Sequence, residues 1–264
     1  MNLGLHNQPV IVCASSAGLG KATALEFCRE GANVTLCGRR ESELRRAAAE
    51  IYATTGREPH FVVADLTRAD DIVRLVETAV ARFGGLFALV NNSGGPPPGK
   101  FEQFDDGAWQ CAFELNLLSY VRMIRAALPH LRNGNGNGGR ILNFTSTSVK
   151  SPIDNLILSN TFRTAVLGLT KTLAGELGPD RILVNVIGPG RVQTDRIEQL
   201  DTMRAKNANL SMEQVRADTC RMIPLGRYGT PEEFAKVAVF LNSPANTYIT
   251  GQTVLVDGGL VKSY

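Results

Sequence analysis

Short apolar segments alternate with longer amphipathic stretches along the whole chain. The short segments cover residues 10–14, 33–37, 60–64, 87–90, 140–145, 183–187 and 253–256. They are almost continuously apolar, as is typical of strands that are buried on both faces of a sheet. Helical stretches of about ten or more residues separate most of them, which permits right-handed crossovers between parallel strands. The pattern predicts an α/β fold with helices on both faces of a parallel sheet.

Local signals mark where several helices begin and end. Leu177-Gly178-Pro179 predicts a helix end, because glycine adopts left-handed conformations and proline cannot continue a helix. Thr230, Pro231 and Glu233 predict a helix start with a capping box, in which both side chains bond to backbone amides of the first turn. Residues 211–214 carry a weaker signal of the same kind.

No shift in composition and no internal repeat divides the chain. Its 264 residues allow one domain or two on length alone. The glycine- and asparagine-rich run at 133–139 predicts a surface loop between a helix and a strand, not a domain boundary. We therefore expect a single domain over residues 1–264.

Composition and charge narrow the possible partners. The net charge of +3 gives no reason to expect nucleic acid or an anionic membrane. The five cysteines form no CxxC pair and the three histidines lie far apart, so we expect a reducing compartment and no metal site. The first residues lack the features of a signal peptide, and no apolar run reaches the roughly 20 residues that span a bilayer. These features predict a cytoplasmic protein.

The first predicted strand leads into a glycine-containing turn and then a helical stretch at 21–30. The turn reads Ala14-Ser15-Ser16-Ala17-Gly18-Leu19-Gly20. A strand, a tight turn and a helix N-terminus together form an anion site, because the first helical amides face the ligand and glycines let the backbone approach it. Small residues also fill such turns for packing reasons, so this segment alone leaves both interpretations open.

The end of the second predicted strand bears on which dinucleotide would bind. A site for NAD places a carboxylate there to hold the ribose hydroxyls. Here Gly38 is followed by Arg39 and Arg40. A guanidinium pairs bidentately with a phosphate, so these residues favour NADP over NAD. The alternative is that both arginines are solvated residues at the start of a helix.

Ordered motifs over nearly the whole chain resemble those of the short-chain dehydrogenase/reductase family. The turn resembles the family's Thr-Gly-x-x-x-Gly-x-Gly, with Ala14 in place of the first glycine. The segment at 91–94, Asn-Asn-Ser-Gly, resembles the family's Asn-Asn-Ala-Gly. The remaining matches are Asp65-Leu66, Asn116, Pro189-Gly190 with Val192 and Thr194, and the C-terminal segments at 249–252 and 256–259.

The resemblance implies a doubly wound (Rossmann) sheet of seven strands in the order 3-2-1-4-5-6-7. It also implies a homotetramer that packs the helices around Asn116 and Arg163, and a mobile segment at 195–222 that covers the substrate. The residues that it places against the cofactor, expected to be NADP, are Ala14, Ser15, Ser16, Gly18, Leu19, Gly20, Arg39, Arg40, Asp65, Leu66, Asn92, Ser93, Gly94, Arg163, Pro189, Gly190, Val192 and Thr194.

The sequence departs from the family at the catalytic residues. The family uses a serine and a Tyr-x-x-x-Lys helix, in which the phenol moves the proton and the lysine lowers the pKa of that phenol. Ser146 matches the serine, but Ser159 stands where the tyrosine should be and Arg163 where the lysine should be. Arg163 keeps a positive charge that can bond ribose hydroxyls. The hydroxyl of Ser159 is too short to reach the position of a phenol oxygen.

Two functions remain open. The first is an NADP-dependent oxidoreductase that interconverts a small-molecule carbonyl and an alcohol and resembles 3-oxoacyl-[acyl-carrier-protein] reductases. Its catalytic residues would be Ser146, Asn116, Ser159 and Arg163, with the proton coming from Ser146 or from a water near it. The second is a non-catalytic dinucleotide-binding protein, a sensor or oligomer partner that retains the fold. We favour the first, because a protein that only binds has less need of the retained serine, asparagine and cation.

Overall fold

A computed structural model of the chain describes residues 2–133 and 138–263. The central part of the loop predicted at 133–139 lies outside the described residues. Within the described part, no helix has the length and apolar character needed to cross a membrane. The same residues contain no cluster of His, Cys, Asp and Glu side chains suited to a metal ion.

Seven parallel strands of the described chain form one sheet in the order β3-β2-β1-β4-β5-β6-β7. β1, β4 and β5 are buried at every position, which explains their continuous apolar character. The predicted fold class, including the strand order, is confirmed. The strands are β1 Pro9–Val12, β2 Asn33–Gly38, β3 His60–Val63, β4 Ala88–Asn91, β5 Arg140–Phe144, β6 Leu183–Pro189 and β7 Thr253–Val256.

The helices begin and end close to the predicted positions. α6 ends at Leu177, and the hydroxyls of Ser211 and Thr230 cap α8 and α9 as predicted. α1 begins three residues before the predicted 21, since the turn is tighter than the sequence suggested. The helices are α1 Gly18–Arg29, α2 Glu41–Thr55, α3 Ala69–Phe83, α4 Asp106–Phe113, α5 Ser119–Arg132, α6 Ile157–Leu177, α7 Asp195–Ala208, α8 Met212–Met222 and α9 Pro231–Leu241.

The helices cover both faces of the sheet. One buried cluster joins strands to α1, α2 and α9, with Phe27, Leu44 and Phe234 fully buried. A second cluster joins the opposite face to α3 and α5, with Leu75 and Leu131 fully buried. Because all strands run parallel, their carboxyl ends and the loops that follow them meet at one edge. The strand order reverses between β1 and β4, which is where ligands bind in sheets of this kind.

Candidate active site

The turn after β1 leaves the N-terminus of α1 suited to an anion. Ala17 precedes the helix without a side-chain cap, and no acidic residue lies in the first turn. A Cβ on Gly20 would lie 2.4 Å from the carbonyl oxygen of Ala14, so only glycine lets the helix approach the strand this closely. The free first-turn amides fit a pyrophosphate.

The hydroxyl of Ser15 points into the protein, so the contact with the cofactor that was expected of Ser15 remains a prediction that does not involve this hydroxyl. The side chain is fully buried, donates a hydrogen bond to the carbonyl oxygen of Val12 at 2.7 Å and accepts one from the backbone N–H of Cys37 at 3.1 Å. The sequence could not show which of two adjacent serines points inward. Ser15 therefore braces β1 against β2, while half-buried Leu19 packs against the core.

The two arginines after β2 lie in different environments. Arg39 is exposed and forms no ion pair within the described residues. Arg40 is paired with Glu43 at 2.5 Å, and this contact holds the pKa of the Glu43 carboxyl below its ordinary value. The hydroxyl of Ser16 donates weakly to the same carboxylate at 3.4 Å. Arg39 is thus the cation available to a phosphate, and Glu43 is a nearby carboxylate that sequence reasoning missed.

The segment after β3 is shaped by its own hydrogen bonds. Asp65 accepts hydrogen bonds from the backbone N–H and the hydroxyl of Thr67 at 3.0 and 2.8 Å. Its own N–H donates to Asp71 at 2.8 Å. Leu66 is 7% exposed and belongs to the core. The adenine contact expected of Asp65 and Leu66 remains a prediction.

The segment after β4 connects the turn after β1 (residues 14–20, the phosphate turn) to the helix that carries Asn116. The amide of Asn92 donates to the carbonyl oxygens of Cys13 and Ala14 at 3.3 and 3.2 Å. The amide of Asn116 donates to the hydroxyl of Ser93 at 2.9 Å and to the carbonyl oxygen of Gly94 at 2.8 Å. These bonds bring Asn116 to the same sheet edge as the turn.

Asn116 lies in a π-helical turn, Glu114–Leu118, between α4 and α5. Its side chain is fully buried, and its carbonyl oxygen Oδ1 has no hydrogen-bond partner among the described residues. A buried acceptor without a partner costs about 1–3 kcal/mol. The position therefore suits a bound water, and π-turns of this kind are frequent at functional sites.

Ser146 follows the end of β5 and is half-buried. Its hydroxyl oxygen accepts a hydrogen bond from the backbone N–H of Ser148 at 3.1 Å. The O–H itself has no acceptor within the described residues and can be donated to a ligand. Gly188 keeps space beside it, because a Cβ there would lie 3.0 Å from the carbonyl oxygen of Ser146.

Ser159 and Arg163 lie one turn apart on the same face of α6 and are both buried. Ser159 makes no side-chain hydrogen bond within the described chain. The guanidinium of Arg163 donates to the carbonyl oxygen of Phe144 at 2.9 Å and to that of Ser93 at 3.4 Å. Two of the guanidinium N–H groups expected to bind the cofactor ribose therefore bond to backbone oxygens of the protein instead. The Nε–H of Arg163 makes no hydrogen bond within the described residues.

The segment after β6 leads from the sheet to α7. Half-buried Pro189 ends the strand, and Gly190 passes so close to Asp257 that a Cβ would lie 2.6 Å from the aspartate Cβ. Val192 is buried. The hydroxyl of Thr194 caps α7, and its methyl group would lie 3.9 Å from a Cβ on Gly18. Thr194 thus lies beside the turn after β1, and its contact with the cofactor remains a prediction.

The chain matches known proteins over almost its whole length. A family model described as enoyl-(acyl carrier protein) reductase matches residues 13–261. NovJ of Streptomyces niveus, described as a short-chain reductase, is 34% identical over 249 residues, which cover 94% of this chain and 92% of NovJ. The chain belongs to the short-chain dehydrogenase/reductase family. The resemblance inferred from the motifs is confirmed, and with it the expected class, an oxidoreductase.

Other short-chain dehydrogenases/reductases extend the likeness to structure. A 3-oxoacyl-[acyl-carrier-protein] reductase of Chlamydia muridarum is 31% identical, covering 98% of this chain and 100% of the relative. The crystal structure of L-sorbose reductase from Gluconobacter frateurii, complexed with NADPH and L-sorbose, superposes with a TM-score of 0.93. It is 30% identical, and the match covers 100% of both chains.

Tyr120 contacts the candidate active site through Arg163, and the sequence analysis did not identify it. Its phenol is buried behind the site, donates to the carbonyl oxygen of Phe144 at 2.9 Å and accepts weakly from Arg163 at 3.5 Å. Burial raises the pKa of Tyr120, and the positive charge of Arg163 offsets this only in part. The available signal was its position four residues after Asn116.

Proposed function

We propose that this short-chain dehydrogenase/reductase is an NADP-dependent enzyme that interconverts a small-molecule carbonyl and an alcohol. The observation that carries the proposal is unused hydrogen-bonding capacity at one sheet edge. Ser146 has a free O–H, Asn116 has a buried oxygen without a partner, and Arg163 has a free Nε–H within the described residues. The similarity to a reductase complexed with NADPH and L-sorbose supports the same cofactor and reaction class.

The chain's own residues would position the substrate and move the proton. The nicotinamide cofactor, when bound, supplies or accepts the hydride. Ser146 donates its O–H to the substrate oxygen, and the positive charge of Arg163 stabilises negative charge that develops there. Asn116 would hold a water through Oδ1, and Ser146 would regain its proton from bulk solvent by way of this water, which is restored in the same transfer. Ser159 is too short to donate to the substrate directly, so Ser146 takes over the proton transfer in the wild type.

Turnover of NADPH tests the proposal. We expect the wild type to oxidise NADPH slowly with some members of a broad carbonyl panel, followed by NADPH absorbance. Ser146→Ala should lower the rate by about 10²–10⁴-fold, the contribution of a positioned general acid. Ser151→Ala, at an exposed serine after the same strand, is the matched control. Equal rates in wild type and Ser146→Ala would contradict the role of Ser146.

The alternative function is dinucleotide binding without catalysis. It is favoured by the absence of the family's tyrosine and by the bonds that commit Arg163 to backbone oxygens of Phe144 and Ser93. Tight NADPH binding without turnover of any carbonyl in the panel would establish this alternative over the enzyme.

The preference for NADP is proposed from Arg39. A charge-assisted hydrogen bond contributes about 1.5–3 kcal/mol, so Arg39→Ala should weaken NADPH binding roughly 10- to 150-fold. NADH lacks the 2′-phosphate and should bind almost unchanged. Arg45→Ala, which removes an exposed cation of α2, is the control. Titration calorimetry that shows tighter binding of NADH to the wild type would contradict the proposal.

We further propose a homotetramer of single-domain chains (residues 1–264) in the cytoplasm. Trp109 of α4 stacks edge-on against Phe162 of α6 at 5.9 Å, and Phe101 beside them is 68% exposed, which gives this side an apolar surface. Light scattering that shows a monomer would contradict the tetramer.

Residues 195–222, which form α7 and α8, are proposed as the substrate cover. Asp201 of α7 is buried against the phenol of Tyr228 at 2.8 Å and pairs with Arg191 at 3.4 Å, so the cover is anchored to the loop after β6. Limited proteolysis should cut this segment more slowly when NADPH is present. Equal cutting with and without NADPH would contradict a mobile cover.

A further inference from the structure

Two arginines lie at the two ends of the short segment after β4. The guanidinium of Arg163 donates to the carbonyl oxygen of Ser93 at 3.4 Å, and that of Arg196 donates to the carbonyl oxygen of Pro96 at 2.9 Å. Ser93 and Pro96 are three residues apart, so their Cα atoms are separated by at most about 11 Å. A Cβ on Gly95 would lie 3.2 Å from the guanidinium of Arg196. Both cations therefore flank one glycine segment at the candidate active site.

Neither cation has a carboxylate partner within residues 2–133 and 138–263. Arg163 is 7% exposed and Arg196 is half-buried. The pKa of Arg196 is lowered because burial removes the guanidinium from water and because the positive charge of Arg163 is close. Two partly buried like charges without a counter-charge destabilise each other. A bound anion would relieve this cost.

We propose that Arg196 binds an anionic group of the substrate, so that the preferred substrates are carbonyl compounds that carry a carboxylate or a phosphate. The inference rests on the proposed function, because it assigns a substrate class to the same site. Arg196 lies in the first turn of α7, two residues after Thr194, and reaches from the cover to the segment after β4. The anionic group would bind under the cover while the carbonyl lies near Ser146 and Arg163.

The cofactor pyrophosphate is a second possible source of the anion. It is the weaker candidate, because the uncapped N-terminus of α1 already provides amides for it. In the segment after β6, the residue beside the phosphate turn is Thr194, close to Gly18. The guanidinium of Arg196 bonds instead to Pro96, two residues after Gly94 in the segment after β4.

Paired substrates test the assignment. Kinetics with NADPH would compare 2-, 3- and 4-oxo acids with their methyl esters, which have the same carbonyl but no charge. We expect the wild type to prefer each acid roughly 10- to 100-fold in kcat/KM, chiefly through KM. Arg196→Gln should abolish this preference and Arg196→Lys should retain part of it. Arg82→Gln, at an exposed arginine of α3, is the charge-matched control.

Binding measurements separate the possible failures. With NADPH-saturated protein, 4-oxopentanoate should bind to the wild type and not to Arg196→Gln by calorimetry, while the Kd for NADPH stays the same. An acid-to-ester ratio that does not change in Arg196→Gln overturns the inference, and so does equal acid binding by both proteins. A loss of NADPH affinity in Arg196→Gln assigns the arginine to the pyrophosphate and also overturns it. If no carbonyl is reduced, the proposed function fails, and acid binding still decides the inference.

Discussion

Ser159→Tyr restores the missing phenol and tests whether this position is a vacated proton-donor site. Ser159 is 9% exposed and makes no side-chain hydrogen bond within the described chain, so no existing bond is lost. Forcing a ring into a serine-sized space costs about 1–3 kcal/mol. For a chain of this size that is a fall in Tm of roughly 2–12 °C, which a stable protein survives.

The expected fall in the activation barrier is larger than this loss of folding free energy. A positioned general acid contributes about 10²–10⁴-fold, which corresponds to roughly 2.7–5.5 kcal/mol of barrier. Arg163 lies one turn along α6 and would lower the pKa of the new phenol, as lysine does in the family. We expect Ser159→Tyr to reduce carbonyls at least tenfold faster than the wild type, with the larger effect in kcat.

Ser159→Phe is the matched control, because it adds the same ring without the hydroxyl. The assay is single-turnover oxidation of NADPH, after circular dichroism and calorimetry have shown that both variants fold and bind cofactor. If Ser159→Tyr is no faster than Ser159→Phe, the proton does not pass through this position.

The double variant with Arg163→Lys is a less clean test. The guanidinium bonds two backbone oxygens, and each lost charged hydrogen bond costs about 1.5–3 kcal/mol. We therefore expect the double variant to be less stable than Ser159→Tyr alone.

Two further measurements test the site's supporting structure. Ala14 has a φ of 46°, in the left-handed region, so Ala14→Gly should raise the free energy of unfolding by about 0.5–1 kcal/mol. Ala49→Gly, on the exposed face of α2, is the control and should lower this free energy by about 1 kcal/mol in urea titrations. A lower free energy of unfolding in both variants would contradict strain at Ala14. Tyr120→Phe should lower the free energy of unfolding by about 0.5–1.5 kcal/mol in the same titrations. The loss stays modest because the carbonyl oxygen of Phe144 keeps its hydrogen bond from Arg163. An unchanged urea midpoint would mean that the phenol contributes nothing to stability.

The strands and helix caps could be predicted because they depend on local patterns, whereas the orientation of single side chains could not. The first strand was predicted to run to Ala14, but it ends at Val12 because the turn begins earlier. Arg196 and Pro96 are a hundred residues apart, and nothing local relates them. The pairing of Arg40 with Glu43 was also missed, although its helical spacing is a signal that the sequence offers.

The π-turn at Glu114–Leu118 makes the position of Asn116 depend on chain length. One extra residue is accommodated within an otherwise continuous helix that spans residues 106–132. Removing a single residue from the turn would leave a regular α-helix, because the π-turn differs from such a helix by one residue, and the helices on either side would keep their packing. The residues that remain in the turn would take new directions, and Asn116 would then lose Ser93 and Gly94 as partners although the fold is kept. This part of the gene should therefore accept many codon changes but no loss or gain of a codon, and alignments of its descendants should be free of gaps here.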